Sequence, residues 1–249
     1  MIRRCFYAIC LLMLGLQMSP AAMADATLPP DQKKAFEQLI HDYLLSHPEV
    51  LNEALATLKA EDDAKAAAAA HDALVAHRDA LLNDPQSPVG GNPKGDVTLV
   101  EFFDYRCPYC KQMQPSLEAL LKDDPKLRIV YKEFPILGQP SVVATQVALA
   151  ARKQGKYDEF HRVMMNTKGQ IDDQVIVRVA QSVGLDMDKI KADMAAPEVA
   201  SVIKSDFELA KALNVRATPV FVVGDEILPG AIDIDMLKGL IANLRAAHS

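Results

Sequence analysis

The stretch Val97-Thr98-Leu99-Val100-Glu101-Phe102-Phe103-Asp104-Tyr105-Arg106-Cys107-Pro108-Tyr109-Cys110 decides the fold. Its first seven residues are apolar except for Thr98 and Glu101, the composition of a buried strand. Two cysteines separated by two residues follow. Pro108 suits the first turn of a helix, where its missing N–H would be unpaired anyway. A strand that turns into a helix at Cys-x-x-Cys builds a redox-active dithiol. The helix start offers Cys107 unpaired N–H groups and the positive end of the peptide dipole, both of which favour the thiolate. Cys107 is the candidate nucleophile. Cys110 lies one turn further in, on the same side, placed to attack a mixed disulfide on Cys107 and release the substrate.

Three blander readings compete. A structural staple closing so short a loop would constrain the unfolded chain little. A zinc site needs four ligands, and His41, His47, His71, His77, His161 and His248 show no metal-ligand spacing relative to Cys107. The third is an ordinary buried pair of cysteines. No cofactor is implied.

The start of the chain bears on compartment. Arg3 and Arg4 precede an apolar stretch from Phe6 to Leu16, too short to span a membrane, and Ala22-Met23-Ala24 supplies small residues for cleavage before Asp25. Residues 1–24 therefore read as a secretory signal peptide, with an uncleaved anchor as the alternative. Cleavage would remove Cys5 and Cys10 and leave Cys107 and Cys110 as the only thiols, in an oxidising compartment. It would also leave 25 basic against 33 acidic residues, a net of −8, which disfavours nucleic acid or anionic lipid as partners.

Downstream, Phe36, Leu39, Ile40, Tyr43 and Leu44 mark one face of a helix, interrupted at Ser46-His47-Pro48. A second helix is expected from Pro48 to about Asn83, a rod on the order of 50 Å long. Its apolar positions cluster at both ends, and Glu61, Asp62, Asp63 and Lys65 break the middle, so a regular coiled coil is not supported. Such a rod must lie on a domain, pair with other chains, or serve as a solvated helical linker. The proline- and glycine-dense segment Asp84–Gly95 reads as a boundary. Beyond it come the strand Val97–Phe103, a helix from about Cys107 to Lys122, and a strand Leu127–Phe134. A helical region follows from Ser141 to about Leu213, with breaks near Gly155, Gly169, Gly184 and Pro197. A hairpin formed by Thr218–Val223 and Ile227-Leu228, then a helix Asp233–Arg245, complete the pattern. This is a mixed α/β pattern with helices covering a small sheet.

Two further candidates bear on the dithiol. In a period-two strand Glu101 shares a face with Val97, Leu99 and Phe103, so burial would raise its pKa and let it exchange a proton with Cys110. On an edge strand it would instead face solvent. Thr218-Pro219 opens a strand, where proline is unusual. A cis bond there would present the Thr218 amide and carbonyl to an extended substrate beside the dithiol, whereas a trans turn would not.

Together, Glu101–Cys110 and Ala217-Thr218-Pro219-Val220-Phe221 resemble the DsbA-type branch of the thioredoxin superfamily over about residues 88–249. Tyr43-Leu44-Leu45-Ser46-His47-Pro48-Glu49-Val50-Leu51 is similar to the stalk signature of ScsC-like proteins. The resemblance implies a thioredoxin-like α/β fold at 88–249 with a helical insertion at about 139–213, preceded by a helical oligomerisation stalk at 25–87. It implies Cys107 and Cys110 as the catalytic pair and Glu101 as the family's buried acid. Thr218, Pro219, Pro108 and Tyr109 would then contact substrate. In that family stalks associate chains, often as trimers, and the assembly acts as a disulfide isomerase. Strongly oxidising members carry Pro-His between the cysteines; Pro-Tyr here implies a less oxidising couple.

The expected function is a periplasmic thiol-disulfide isomerase or reductase, a homo-oligomer (trimer or dimer). It would act on disulfide-containing secreted proteins and be kept reduced by a membrane redox partner. A dithiol oxidase that donates its disulfide is the alternative. A Cu(I)-binding thiol protein of a metal-stress system is the alternative of another class.

Overall fold

The computed structural model describes residues 29–247. The proposed signal peptide lies outside them. The described residues form ten helices and five strands: α1 (Pro30–Ser46), α2 (Pro48–Ala76), α3 (Arg78–Leu82), β1 (Val89–Gly91), β2 (Val97–Phe103), α4 (Pro108–Asp123), β3 (Leu127–Glu133), α5 (Gln139–Lys153), α6 (Tyr157–Asn166), α7 (Asp173–Ser182), α8 (Met187–Met194), α9 (Pro197–Ala212), β4 (Val220–Val223), β5 (Glu226–Pro229) and α10 (Ile234–Ala247). None of the helices is long and apolar enough to cross a membrane. Contacts divide the chain into two units that meet at Ala60 and Glu61.

The first unit holds α1 and the start of α2. Pro30 opens α1, and the chain leaves it at His47, whose N–H still donates to the Tyr43 carbonyl at 2.9 Å. Pro48 then opens α2, as expected of a residue that can begin but not continue a helix. No residue of α1 is buried, and Phe36, Leu39, Ile40, Tyr43, Leu51, Leu55 and Leu58 are all exposed.

The second unit is built on one sheet of strand order β1-β3-β2-β4-β5. The central pair β2 and β3 is parallel, with Glu101 opposite Tyr131 and Phe103 opposite Glu133; every other pairing is antiparallel. Alternation along β2 sends Val97, Leu99 and Phe103 to one core and Val100 and Phe102 to the other. The first core is closed by α4, α10 and the helices α5 to α8. The second is closed by Leu74 of α2, Leu81 of α3, and Leu209 and Ala210 of α9. Contacts of this unit therefore begin well before the proline- and glycine-rich segment. The helical insertion and its four breaks fall where the glycines and Pro197 place them.

Two expectations are corrected. The long second helix does not run to Asn83: it ends at Ala76, and α3 begins after His77, whose backbone (φ −109°, ψ 15°) leaves the helix. No proline or glycine marks that break. The segment read as a plain boundary contains the edge strand β1, paired with Val130, Ile129 and Arg128 of β3. Val-Gly-Gly has little strand preference of its own, so the partner strand imposes the conformation. The glycines are what let the two strands close. A Cβ on Gly90 would sit 2.8 Å from the Tyr131 hydroxyl, and one on Gly91 (φ +68°) would sit 2.6 Å from the Leu127 carbonyl.

Candidate active site

Cys107 is the N-cap of α4, directly past the end of β2. It is buried, and its Sγ donates to the Thr218 carbonyl at 3.2 Å in the thiol form. Its pKa is pulled down to about 6. The hydrogen bond with Cys110 is the largest cause, and Thr218 and the backbone N–H groups of Tyr109 and Cys110 add to it against the cost of burial. Cys110 is fully buried, and burial, the hydrogen bond to Cys107 and the charge of Glu101 push its pKa upward. Both cysteines are free thiols. The asymmetry assigns the chemistry: Cys107 is ionised at neutral pH, while Cys110 attacks only if its proton has somewhere to go.

Glu101 acts electrostatically on Cys110. It lies on the central strand between Tyr131 of β3 and Phe221 of β4, not on an edge. Its side chain is wholly buried on the face of Leu99 and Phe103, and neither carboxylate oxygen has a hydrogen-bond partner among the described residues. Burial, and secondarily the charge of Cys107, push its pKa up to about 8. An unpartnered buried carboxylate is costly to ionise, so Glu101 near neutral pH is poised to take or give a proton.

Thr218-Pro219 faces the dithiol from the start of β4, and the bond between them is cis. The Pro219 carbonyl accepts from Gly230 N–H at 2.8 Å, which ties the loop to the far side of the hairpin. Pro108 and Tyr109 are exposed, the tyrosine at 59 %. Of the seven residues singled out in the sequence, Cys107 and Cys110 form the dithiol, Thr218 touches Cys107, Glu101 acts electrostatically on Cys110, Pro219 adjoins Thr218, and Pro108 and Tyr109 present outward.

Sequence reading missed the residues that fix this arrangement. Asp104 is buried and accepts from Arg106 N–H at 2.7 Å, Ser141 Oγ at 2.8 Å and Leu137 N–H at 2.9 Å. It pins the turn before Cys107 to the start of the insertion. Lys111 Nζ donates to the carbonyls of Met164, Met165 and Thr167 at 2.5, 3.3 and 3.1 Å, clamping α4 to the end of α6, and burial lowers its pKa to about 8. Glu133, buried on the face of Glu101, accepts from Thr145 and Tyr157 at 2.8 Å each. The signal for Asp104 was available, since a carboxylate inside an apolar run needs partners. Arg106 N–H is local, but Leu137 and Ser141 lie 33 and 37 residues away, and no local pattern reveals them.

The geometry defines a thiol-disulfide exchange site on a thioredoxin-like scaffold, and comparison with known proteins agrees. Residues 98–242 match the DSBA-like thioredoxin domain, and residues 32–65 match the copper resistance protein ScsC N-terminal domain. The chain belongs to the DsbA-like thiol-disulfide oxidoreductase family and is a DsbA-type, ScsC-like member of it. A thioredoxin-like oxidoreductase from Silicibacter pomeroyi is 46 % identical, with 68 % of this chain and 98 % of that one covered and a TM-score of 0.66. Proteus mirabilis ScsC in a transitional conformation is 32 % identical, with 88 % and 100 % covered and a TM-score of 0.66. Disulfide bond formation protein D of Bacillus subtilis is 24 % identical over 66 % of this chain and 80 % of its own length. The Na(+)/H(+) antiporter NhaA 3 of Salinispora tropica is 29 % identical over 161 residues, and the matched region spans only 25 % of that protein's length.

Proposed function

We propose that this protein rearranges or reduces wrong disulfides in secreted proteins. It would work as a periplasmic homo-oligomer held together through α1 and the start of α2. The Cys107 thiolate attacks a substrate disulfide, and the mixed disulfide resolves either through another substrate thiol, giving isomerisation, or through Cys110, giving reduction. Glu101 takes the Cys110 proton in the second route. Thr218 and Pro219 hold the substrate backbone beside Cys107, with Pro108 and Tyr109 on the exposed rim.

The observation that carries this reading is the apolar stripe of Phe36, Leu39, Ile40, Tyr43, Leu51, Leu55 and Leu58, exposed on helices that cannot cover it themselves. A stripe of this size marks an interaction surface, and a second or third copy of the chain supplies the same stripe in return. The Cys107 pKa supports the direction: about 6 lies nearer thioredoxin, at about 7, than the strong oxidant of the superfamily, at about 3.5. A less stabilised thiolate makes a less oxidising couple. By family resemblance, a membrane reductase would keep the dithiol reduced. Equilibration against glutathione tests the direction. A potential well below the roughly −120 mV of the strong oxidant is expected, and a value at or above it would favour a disulfide donor.

The name of the N-terminal match supports a second reading, Cu(I) capture by the two thiols. Stoichiometric Cu(I) binding without exchange on protein disulfides would favour it.

A further inference from the structure

A groove of about 390 Å³ opens beside the Thr218-Pro219 loop, and the exchange chemistry does not use it. Its floor is apolar: Phe134 and Phe207 have ring centroids 4.8 Å apart, and Val215 is buried next to them. Phe207 is 38 % exposed, unusual for a phenylalanine on a helix otherwise folded against the sheet. The rim is cationic. Lys204, Phe207, Glu208 and Lys211 follow one another along one side of α9, and Arg216 closes the far end. Lys204 pairs with Glu208 at 3.7 Å, but Lys211 and Arg216 make no ion pair among the described residues. Arg216 Nε donates to Asn214 Oδ1 at 2.9 Å, and Asn214 turns the chain out of α9 with φ +57°. A local excess of positive charge stands out on a chain of net charge −6.

The position matters as much as the composition. Arg216 is two residues before Thr218, so their Cα atoms are at most about 7 Å apart. The Thr218 carbonyl is itself 3.2 Å from the Cys107 sulfur. A substrate backbone lying along Thr218 would carry residues a few positions from its cysteine directly over this groove. We infer that the groove between α9 and residues 214–216 is a substrate subsite. It selects polypeptide disulfides flanked, within a few residues of the attacked cysteine, by a large apolar side chain and an acidic one. The apolar side chain covers Phe134 and Phe207, and the acidic one faces Lys211 and Arg216. The inference rests on the reading that polypeptide disulfides are the substrates.

The step involved is balanced. The Cys107 thiolate attacks one sulfur of the peptide disulfide, a new S–S bond forms, and the other peptide sulfur leaves as a thiolate. Cys110 then displaces the bound peptide, so the protein is oxidised and the peptide reduced.

Two synthetic peptide disulfides test the inference, identical except that a phenylalanine is flanked by two aspartates in one and two lysines in the other. The second-order rate constant for reduction by the reduced full-length chain is measured for each. The net negative charge of the whole protein favours the lysine peptide at long range, so a preference for the aspartate peptide reports the groove. The aspartate peptide is expected to react about 10-fold faster at low salt and about 2-fold faster at 0.5 M salt. Lys211→Glu should lower that ratio to about 1, and Lys211→Glu with Arg216→Glu should invert it. The ratio does not depend on how much of a variant is folded. Equal rates for the two peptides with the unaltered chain, or a ratio unchanged by both variants, would overturn the subsite while leaving disulfide exchange in place. No reaction with either peptide would overturn the exchange reading itself and the subsite with it.

Discussion

Replacing Glu101 by glutamine should stabilise the protein while damaging its chemistry, and the stabilisation should depend on pH. An ordinary glutamate titrates at 4.5, whereas Glu101 in the folded chain titrates at about 8. A folded-state value above the unfolded one means that the acid does no harm below pH 4.5. Its cost grows as pH rises through the window and is complete above pH 8. At about 1.4 kcal/mol per pH unit, the full cost is about 5 kcal/mol, and about 3 kcal/mol of it is present at pH 7. Glutamine mimics the protonated acid in size and in its buried, unpartnered polar atoms, so Glu101→Gln removes the ionisation cost and little else. Urea unfolding of the reduced protein and the variant at pH 4.5, 7 and 8.5 checks this. The two should be nearly equal at pH 4.5, with the variant ahead by about 3 kcal/mol at pH 7 and further ahead at pH 8.5. Resolution of a Cys107 mixed disulfide by Cys110 should slow by about 100-fold at the same time, the low end of what a positioned proton acceptor supplies. A stability difference that stays constant across that pH range would refute the reasoning, because it would mean that Glu101 is already neutralised or solvated.

Ultraviolet titration of the Cys107 thiolate should give a midpoint near pH 6, moving upward in Cys110→Ala, since the Cys110 hydrogen bond is the largest cause of the depression. A folded value below the ordinary 9.0 stabilises the reduced protein fully above pH 9. That contribution shrinks as pH falls below 9 and is lost as pH falls through 6, so only part of it remains at pH 7. Lys132→Met should cost about 3–5 kcal/mol in urea unfolding. Its Nζ lies 3.3 Å from Asp206 and 3.4 Å from Asp84 in a site where the lysine is 1 % exposed, so removal strands the carboxylates. Asp206→Asn in the same chain should recover part of the loss, and no recovery would show that packing rather than charge is at stake.

Much of the site was legible because its chemistry is local. Cys-x-x-Cys after an apolar strand and proline opening β4 are both patterns within ten residues, and Glu101 could be assigned to a buried face by counting in twos along β2. The helical insertion was legible for the same reason, as its breaks lie at glycines and a proline. What was not legible depends on distance in the chain. Val89-Gly90-Gly91 becomes a strand only because β3 passes beside it. Lys132 and Asp206 are 74 residues apart, yet buried together. Leu74 and Leu81 look like part of an exposed rod but pack under the sheet, so the division between the two units falls at Ala60, well before the proline- and glycine-rich segment.

That division decides how the central claim is best tested. Deleting everything up to Asp84 would strip Leu74 and Leu81 from the core and confuse misfolding with loss of the stalk. A chain starting at Glu61 keeps both leucines and the whole dithiol site while losing the apolar stripe. Refolding of a scrambled multi-disulfide protein should be compared for the intact and shortened chains, alongside reduction of a small peptide disulfide by each. The account predicts that the intact chain restores native disulfides, and that the shortened one still reduces the peptide disulfide but loses most isomerase activity. Undiminished isomerase activity in the shortened chain would contradict it.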